Sequence, residues 1–393
     1  MMLNTLYSPN VVGGAEIIFQ EQAEGFAKLG NEVIVVTTTD GNEILWEFKN
    51  GVKVCRIPIA NIYWHYEKDK ATKFAHKIWH LLDIYNVRMK QVLLNIVNKV
   101  NPDIAVCHNL AGFSISVWGV FKSKKIPLIQ VLHDQYLLCP NSNAFKNGRI
   151  CQKQCLLCHL MRLPHKSASN QVDAVVGVSK YVLDRLVYNG YFRDSKKYII
   201  RNARNFINIP IPRPWDGKSP LKIGYIGTLS KVKGVEWLIK TFMSLDMNAT
   251  LIIAGKGDTP VYENYLHHLA ASDKRIQFTE YTKPENHYTN IHLSVIPSLW
   301  PDTLPTVAFE SCAYHVPVIA TNVGGLPEII KEGVNGWLID SHNQYSLAKK
   351  MLDIYAHPNT LFKMSQNTKN SVENFLSIEY MIKKYISVME ELK

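Results

Sequence analysis

Long apolar runs are missing from this 393-residue sequence, and none reaches the ~18–20 residues that a membrane span requires. A secretory leader is missing too, because Met1-Met2-Leu3-Asn4-Thr5-Leu6-Tyr7 has no basic stretch followed by an apolar one. The cytoplasm is therefore the expected compartment. Low-complexity segments and short repeats are also absent. A composition of 47% hydrophobic and 20% charged residues excludes disorder. Cysteine is odd in number, seven in all, which argues against a disulfide framework in a chain without a leader. What remains is a globular chain long enough for two domains of roughly 100–200 residues, each with its own core. A first strand needs about five or six residues before its loop. Only Met1–Leu6 is available, so the start reads as clipped or misassigned by a few residues.

Acidic residues are scarce in one half of the chain. The whole carries 44 Lys/Arg against 33 Asp/Glu, a net of +11. Residues 51–200 hold 22 Lys/Arg and 8 Asp/Glu, a net of +14, so the remainder nets −3. Such a block suggests an anionic partner: nucleic acid, an acidic membrane face or a phosphorylated substrate. Within it, residues 61–80 interleave Tyr63, Trp64, Tyr66, Phe74 and Trp79 with Lys68, Lys70, Lys73 and Lys77. That mixture suits a membrane interface carrying anionic lipid, and also nucleic acid. The plainer alternative is an amphipathic helix with its aromatics in the core and its lysines in water.

Strands and helices alternate, the pattern of a parallel sheet covered on both faces. In the first half, Glu16–Leu29 reads as a helix, Glu32–Thr38 and Val52–Ile57 as strands, and Lys73–Val100 as one helix. Asp103–His108, Pro127–Leu132 and Ala174–Val178 read as strands, the last leading into a helix over Lys180–Asn189. Four prolines within Ile207–Pro220 mark a linker. The alternation then restarts, with strands at Leu221–Ile226, Ala249–Ala254, Ile276–Thr279, Leu293–Ile296 and Val316–Ala320. Helices are expected at Gly234–Leu245, Tyr262–Ser272, Pro305–Tyr314, Pro327–Glu332 and Ile378–Lys393. The expected fold class is α/β: two Rossmann-like, doubly wound domains facing a cleft, over 1–206 and 207–377. Residues 378–393 are expected to pack back towards the first domain.

The strongest local signal is residues 297–330. A strand ends at Ser298 and a helix begins near Pro305, with proline in its favoured first turn. The N–H groups of Leu304, Thr306 and Val307 would form an anion site suited to a diphosphate. Asp302 and Glu310 are poorly suited to phosphate and better suited to sugar hydroxyls. Gly324-Gly325-Leu326-Pro327-Glu328 opens the next helix. The plain alternative is a proline-bounded helix with surface acids.

Here the sequence resembles the retaining nucleotide-sugar glycosyltransferases of family 4, which have the two-domain GT-B fold. Their pattern is Glu-x7-Glu, then G-x-PV-I and GG-x-x-E. This chain reads Asp302-x7-Glu310, then His315-Val316-Pro317-Val318-Ile319, then Gly324-Gly325 and Glu328. Asp302 thus stands where the family has Glu, and His315 stands where it has Gly. The resemblance implies that Glu310 binds the donor ribose and Asp302 the donor hexose. Gly224–Gly234 resembles the family's G-R-L-x-x-x-KG segment, with Thr228 where the family often has Arg. Lys233 would then neutralise the departing diphosphate, with Lys231 as a substitute for the missing cation. Gly255-Lys256-Gly257 resembles A-G-x-G and would admit the nucleotide to the backbone. Val11-Val12-Gly13-Gly14-Ala15-Glu16 resembles the first glycine loop, and His133-Asp134 the catalytic-site His of the family. His133 would hydrogen-bond the donor sugar rather than act as a nucleophile. The base would be read around Phe278–Tyr281. The family's front-face route lets the leaving phosphate oxygen take the acceptor proton, requires no metal cofactor, and retains configuration.

Cys139, Cys151, Cys155 and Cys158 fall within 20 residues just past His133. They suit either a structural zinc or a reduced, partly buried thiol group, and would pin the loop Pro140–Gly148. The resulting expectation is a hexosyltransferase of bacterial surface-polysaccharide, including lipopolysaccharide, assembly. Its donor would be a UDP-, GDP- or ADP-sugar, and its acceptor a glycan or a lipid-diphosphate-linked sugar. Peripheral contact with the inner face of the plasma membrane is expected, and nucleic acid is not. The rivals are a nucleotide-sugar epimerase on the same fold and a zinc-containing nucleic-acid-binding protein.

Overall fold

Seven consecutive buried residues, Val33–Thr39, form a strand covered on both faces, as an unbroken β-branched run should. The computed structural model describes residues 1–393 except 65, 67–71, 147–148, 207–208, 210, 213–214 and 280–281. Lys68 and Lys70, Gly148, parts of the linker, and Glu280 and Tyr281 of the base-reading segment therefore lie outside the described residues. Two compact units are present. Unit 1 comprises 1–144, 151–204 and 377–393, and unit 2 comprises 145–150 and 205–376.

Unit 1 contains β1 (Met2–Leu3), α1 (Gly14–Lys28), β2 (Val33–Thr39), β3 (Leu45–Lys49), β4 (Val52–Pro58), α2 (Lys73–Leu82), α3 (Val87–Val100), β5 (Ala105–Cys107) and α4 (Trp118–Ser123). After β6 (Leu128–Leu132) comes the hairpin β7 (Phe145–Lys146) and β8 (Arg149–Ile150), which clusters with unit 2. Unit 1 continues with α5 (Leu156–Ala168), β9 (Ala174–Gly177), α6 (Lys180–Tyr188) and β10 (Lys196–Ile199). Its sheet runs β10-β9-β6-β5-β1-β2-β4-β3, parallel except for the β3–β4 pair. β1 is only two residues long, yet it sits between β2 and β5. Backbone bonds from Asn4 to Val36 and from Thr5 to Asn109 extend its pairing, so a short start still makes a central strand.

The helix expected over Lys73–Val100 is two helices. Asp83 turns inward after α2, and Asn86 caps α3 by accepting the Met89 N–H at 3.1 Å. The edge strand β3 was not foreseen, because LWEFK is exposed and lacks a core pattern.

Unit 2 contains β11 (Leu221–Ile226), α7 (Val235–Met243), β12 (Ala249–Ala254), α8 (Pro260–Ala270), β13 (Ile276–Thr279), α9 (Pro284–Tyr288) and β14 (Leu293–Ile296). It continues with α10 (Thr306–Ala313), β15 (Val318–Thr321), α11 (Leu326–Ile329), β16 (Gly336–Ile339), α12 (Ser346–Ala356) and α13 (Pro358–Ser371). Its parallel sheet runs β13-β12-β11-β14-β15-β16, the doubly wound order with a switch point between β11 and β14. Ile223, Leu251, Leu293 and Ile319, one from each of four neighbouring strands, are fully buried in one core.

The last helix, α14 (Ile378–Glu390), belongs to unit 1. It buries Met381, Ile382, Tyr385 and Val388, a helical spacing, and packs on α1. Gly25 permits the approach, since a Cβ there would lie 2.1 Å from Ile382 Cδ1.

Candidate active site

In unit 2 the candidate residues gather where four neighbouring strands end. Gly227 follows β11, Gly255 follows β12, Pro297 follows β14 and Asn322 follows β15, all at the carboxyl edge where such sheets bind ligands. Lys233 lies after β11 and Asp302 after β14, one on each side of the switch point. They meet there, Lys233 Nζ donating to Asp302 Oδ2 at 2.5 Å. The ammonium also lies 5.4 Å from the centre of the Trp300 ring. The pairing is new information, because the two residues had separate expected roles.

The surrounding backbone holds this pair from three directions. Leu299 donates its N–H to Val232 at 2.8 Å, Gly325 donates its N–H to Asp302 O at 2.8 Å, and Thr321 Oγ1 donates to Ser298 O at 2.7 Å. Gly234, with φ +74°, closes the one-turn helix that carries Lys233, and a Cβ there would lie 1.9 Å from Pro297 O. Gly325 touches Thr303 just as closely, its Cβ position lying 1.9 Å from Thr303 O. The double glycine thus buttresses the Asp302 segment, a role that the sequence motif alone does not reveal.

Pro305 is the N-cap of α10 rather than its first helical residue, because its ψ of 116° is extended. Thr306 and Val307 open the helix, where N–H groups have no intrahelical acceptor. Leu304 is buried, and Glu310, at 3% exposure, is almost completely so. Thr228 has an exposed side chain and a carbonyl that accepts the Tyr225 hydroxyl at 2.8 Å. The Lys231 ammonium lies 5.9 Å from the centre of the Tyr262 ring. Gly255 and Gly257 have internal reasons to be glycine. A Cβ on Gly255 would lie 2.0 Å from Gly227 O, and one on Gly257 would lie 2.6 Å from Glu263 Cβ. Phe278 packs against His267, with ring centres 4.0 Å apart.

Unit 1 presents different chemistry. A cavity of 710 Å³ lies at the carboxyl ends of its strands, lined by Thr5, Glu16, Asn109 and Asp134 and by His76 and His80 of α2. Burial pushes the Glu16 carboxyl up, although it accepts the Gly13 N–H at 2.8 Å. The N–H expected to meet a phosphate or sugar is therefore held by the chain's own carboxylate, and Gly14 begins α1. Asp134 accepts the Tyr136 N–H at 2.7 Å and is pushed up to about 6, by burial first and the nearby Glu16 charge in addition.

His133 is buried. Its Nε2 lies 2.8 Å from His108 Nδ1, and the two rings stack at 5.1 Å. Burial pushes His133 down to about 4 and His108 further still, so the pair is neutral near pH 7. His108 was missed by the sequence reading. The available signal was its place at the end of the DIAVCH strand.

Cys139, Cys151, Cys155 and Cys158 line one small cavity of 30 Å³. The Cys158 thiol is pushed up to about 12, by burial first and then by the neighbouring Cys155 and Cys139 thiols. Among the described residues, no three His, Cys, Asp or Glu side chains are placed to hold a metal ion.

The sequence matches the family described as Glycosyl transferases group 1 over residues 213–371 and that described as Glycosyltransferase Family 4 over residues 12–205. It is 30% identical to the putative glycosyltransferase YtcC of Bacillus subtilis, over 98% of this chain and 90% of that one. It is also 30% identical to an uncharacterized 42.6 kDa protein in the cps region of Klebsiella pneumoniae, over 84% of this chain and 86% of that one. Its fold is similar to sucrose-phosphate synthase from Thermosynechococcus elongatus, with a TM-score of 0.76 at 15% identity over 100% of this chain and 98% of that one. Anabaena HepE, solved in complex with UDP, gives a TM-score of 0.75 at 16% identity over the whole of both chains.

Proposed function

The chain belongs to the glycosyltransferases of the GT-B fold, and on that premise we propose that it moves a hexosyl group from a nucleotide-sugar to a glycan or lipid-linked acceptor, with retention of configuration. The observation that carries this reading is the Lys233–Asp302 pair across the switch point of unit 2. A bound donor exchanges partners there. The Lys233 ammonium leaves Asp302 for the diphosphate, and the freed carboxylate accepts a hexose hydroxyl. The N–H groups at the start of α10 face the same diphosphate. Charge developing on the leaving phosphate is met by groups already in place, and Glu310 holds the ribose. The leaving oxygen takes the acceptor proton on the face it vacates, so the anomeric carbon keeps its configuration.

Unit 1 supplies the acceptor side. Glu16 and Asp134 offer hydroxyl-binding carboxylates to its cavity, while His133, paired with His108, is the residue assigned to the donor sugar. Surface-polysaccharide assembly is proposed because a relative lies in a cps region. A UDP-sugar is the first donor to test, because a fold neighbour was solved with UDP. Turnover should be measured with UDP-, GDP- and ADP-sugars. Lys233→Ala should lower kcat by about 10²–10³-fold, as loss of a preorganised charge does. Unchanged turnover in both Lys233→Ala and Glu310→Ala would refute the site.

A further inference from the structure

Strand β3 ends one edge of the unit 1 sheet and is exposed almost throughout, Phe48 at 76%. Leu45 and Trp46 are exposed with it, and so is Ile44 just before the strand. Asn50 and Gly51 join β3 to β4, with φ of +51° and +82°, the signs a type I′ hairpin turn requires. Residues flanking such a turn form a hydrogen-bonded pair, and these pairs alternate along the ladder. Lys49, Glu47 and Leu45 therefore turn their N–H and C=O groups to β4. Trp46 and Phe48 direct theirs outward, as Ile44 does once the strand extends to it. Among the described residues, no backbone group of another element bonds to these three.

The opposite edge of the same sheet is blunted. β10 carries Lys196 and Lys197, and the end of α14 lies against it. Lys196 Nζ donates to Glu391 O at 3.0 Å, and the Tyr198 hydroxyl donates to Glu391 Oε2 at 2.5 Å. The two charges of β3 are instead drawn back onto their own unit. Glu47 Oε1 accepts from Arg56 Nη2 at 2.6 Å, and Lys49 Nζ donates to Ser8 Oγ at 2.8 Å. What is left is an apolar strand with an outward row of backbone groups. Another extended strand is what satisfies such a row.

The strand's own sequence is complementary to itself. Antiparallel pairing about a two-fold axis at Trp46 sets Ile44 opposite Phe48 of a second copy, Leu45 opposite its Glu47, and Glu43 opposite its Lys49. The outward rows then match, because 44, 46 and 48 meet 48, 46 and 44. Trp46 meets its own copy, and each Ile44 meets an aromatic ring, both favourable cross-strand pairs. The charges are complementary too, since a lysine bonded to Ser8 keeps two further donors for the carboxylate of Glu43. An axis at Glu47 would also match the rows, but it would set two glutamates opposite each other. We propose that β3 pairs with β3 of a second copy about a two-fold axis at Trp46, joining the two unit 1 sheets edge to edge. A seven-residue pairing is small against the ~1,200 Å² at which standard interfaces begin, so the dimer dissociates on dilution.

Light scattering on the full chain over a concentration series tests this. The mass should rise from one chain towards two as concentration increases. Phe48→Glu sets a charge opposite Ile44 and should weaken dimerisation about tenfold or more. Its melting temperature, measured in dilute solution, should match the parent's. Mild oxidation with diamide should link Trp46→Cys into a covalent dimer, because residues at the axis lie within disulfide reach. The parent should stay unlinked, and Leu45→Cys, which faces Glu47, should link far less. A parent that is monomeric at every concentration overturns the proposal and leaves the edge to an extended segment of a different protein. A dimer that Phe48→Glu leaves intact overturns it as well, as does equal linking of Leu45→Cys and Trp46→Cys.

Discussion

The two units share a strand order and differ in what they place at its centre. In unit 2 the first strand, β11, lies between β12 and β14, and in unit 1 the first strand, β1, lies between β2 and β5. Loops from the carboxyl ends of these strands meet in both. Unit 2 brings a lysine and an aspartate together there, with side chains 30% and 18% exposed. Unit 1 brings together two buried histidines, His108 and His133. The first pair is an ion pair partly open to water, whereas burial holds the second neutral near pH 7. Topology thus decides where groups converge, and exposure decides whether they arrive charged. A charged centre suits a diphosphate, and a neutral one suits hydroxyls.

Backbone substitutions should break this contrast most strongly. Gly234→Ala places a side chain 1.9 Å from Pro297 O at φ +74°, and should cost about 3 kcal/mol or more. Gly13→Ala, at the corresponding loop of unit 1, adopts an extended φ of −159° and has nothing nearer than 3.8 Å. Its cost should stay below about 1 kcal/mol. Urea denaturation measures both, and equal losses would erase the distinction between a clamped loop and an open one.

Acid should act next, through the neutral centre. His133 is pushed down by burial from 6.5 to about 4, and so stays neutral over a range where the unfolded chain binds a proton. The stability this provides is present above pH 6.5 and is lost as pH falls through that window. Asp83 and Asp134, pushed up by burial to about 7 and about 6, act oppositely, and their contribution declines as pH rises. His133→Gln should flatten the acid limb of the stability curve by about 2–3 kcal/mol between its two ends. Lys233→Ala should leave that slope alone. A slope that His133→Gln does not change would mean that His133 is not the buried neutral group described.

The cysteine loop offers a milder comparison. Cys155 is exposed while Cys139 is buried, so thiol reagents should modify Cys155 first and Cys139 last. Uniform protection of all four thiols, relieved by a chelator, would instead assign the zinc that their spacing first suggested.

Unit 2 was more legible in the sequence than unit 1, for physical reasons. Leu221–Ile226, Ala249–Ala254, Ile276–Thr279 and Leu293–Ile296 were read with the bounds they have. Three of them are largely buried parallel strands, and the fourth, Ile276–Thr279, is a half-exposed parallel strand at the sheet edge. In unit 1 the break between α2 and α3 depends on Asp83 reaching Tyr136, 53 residues away, which no local pattern records. The site shows the same limit. Motifs pointed to Lys233 and Asp302 singly, but their contact spans 69 residues and appears only when β11 and β14 pair. The helix α5 was not read at all, because its inner face is made by Arg162 and His165 rather than by apolar residues.

His315 yields the smallest expected effect. The resembling family has glycine at this position, and the structure gives His315 a φ of +63° just after α10, where helices often close in the left-handed region. A β-carbon is strained there, by roughly 1–2 kcal/mol for a non-glycine residue. The side chain offsets part of that cost by placing Nδ1 3.1 Å from Ser365 O on α13. His315→Gly removes the strain but also removes this anchor and loosens the unfolded chain. The two sides nearly cancel, and a gain of no more than about 1 kcal/mol in the unfolding free energy measured by urea denaturation is expected. His315→Ala keeps the strain and loses the anchor, so it should fall below both. If His315→Ala proved as stable as His315→Gly, the left-handed turn would not be what separates this chain from the glycine pattern.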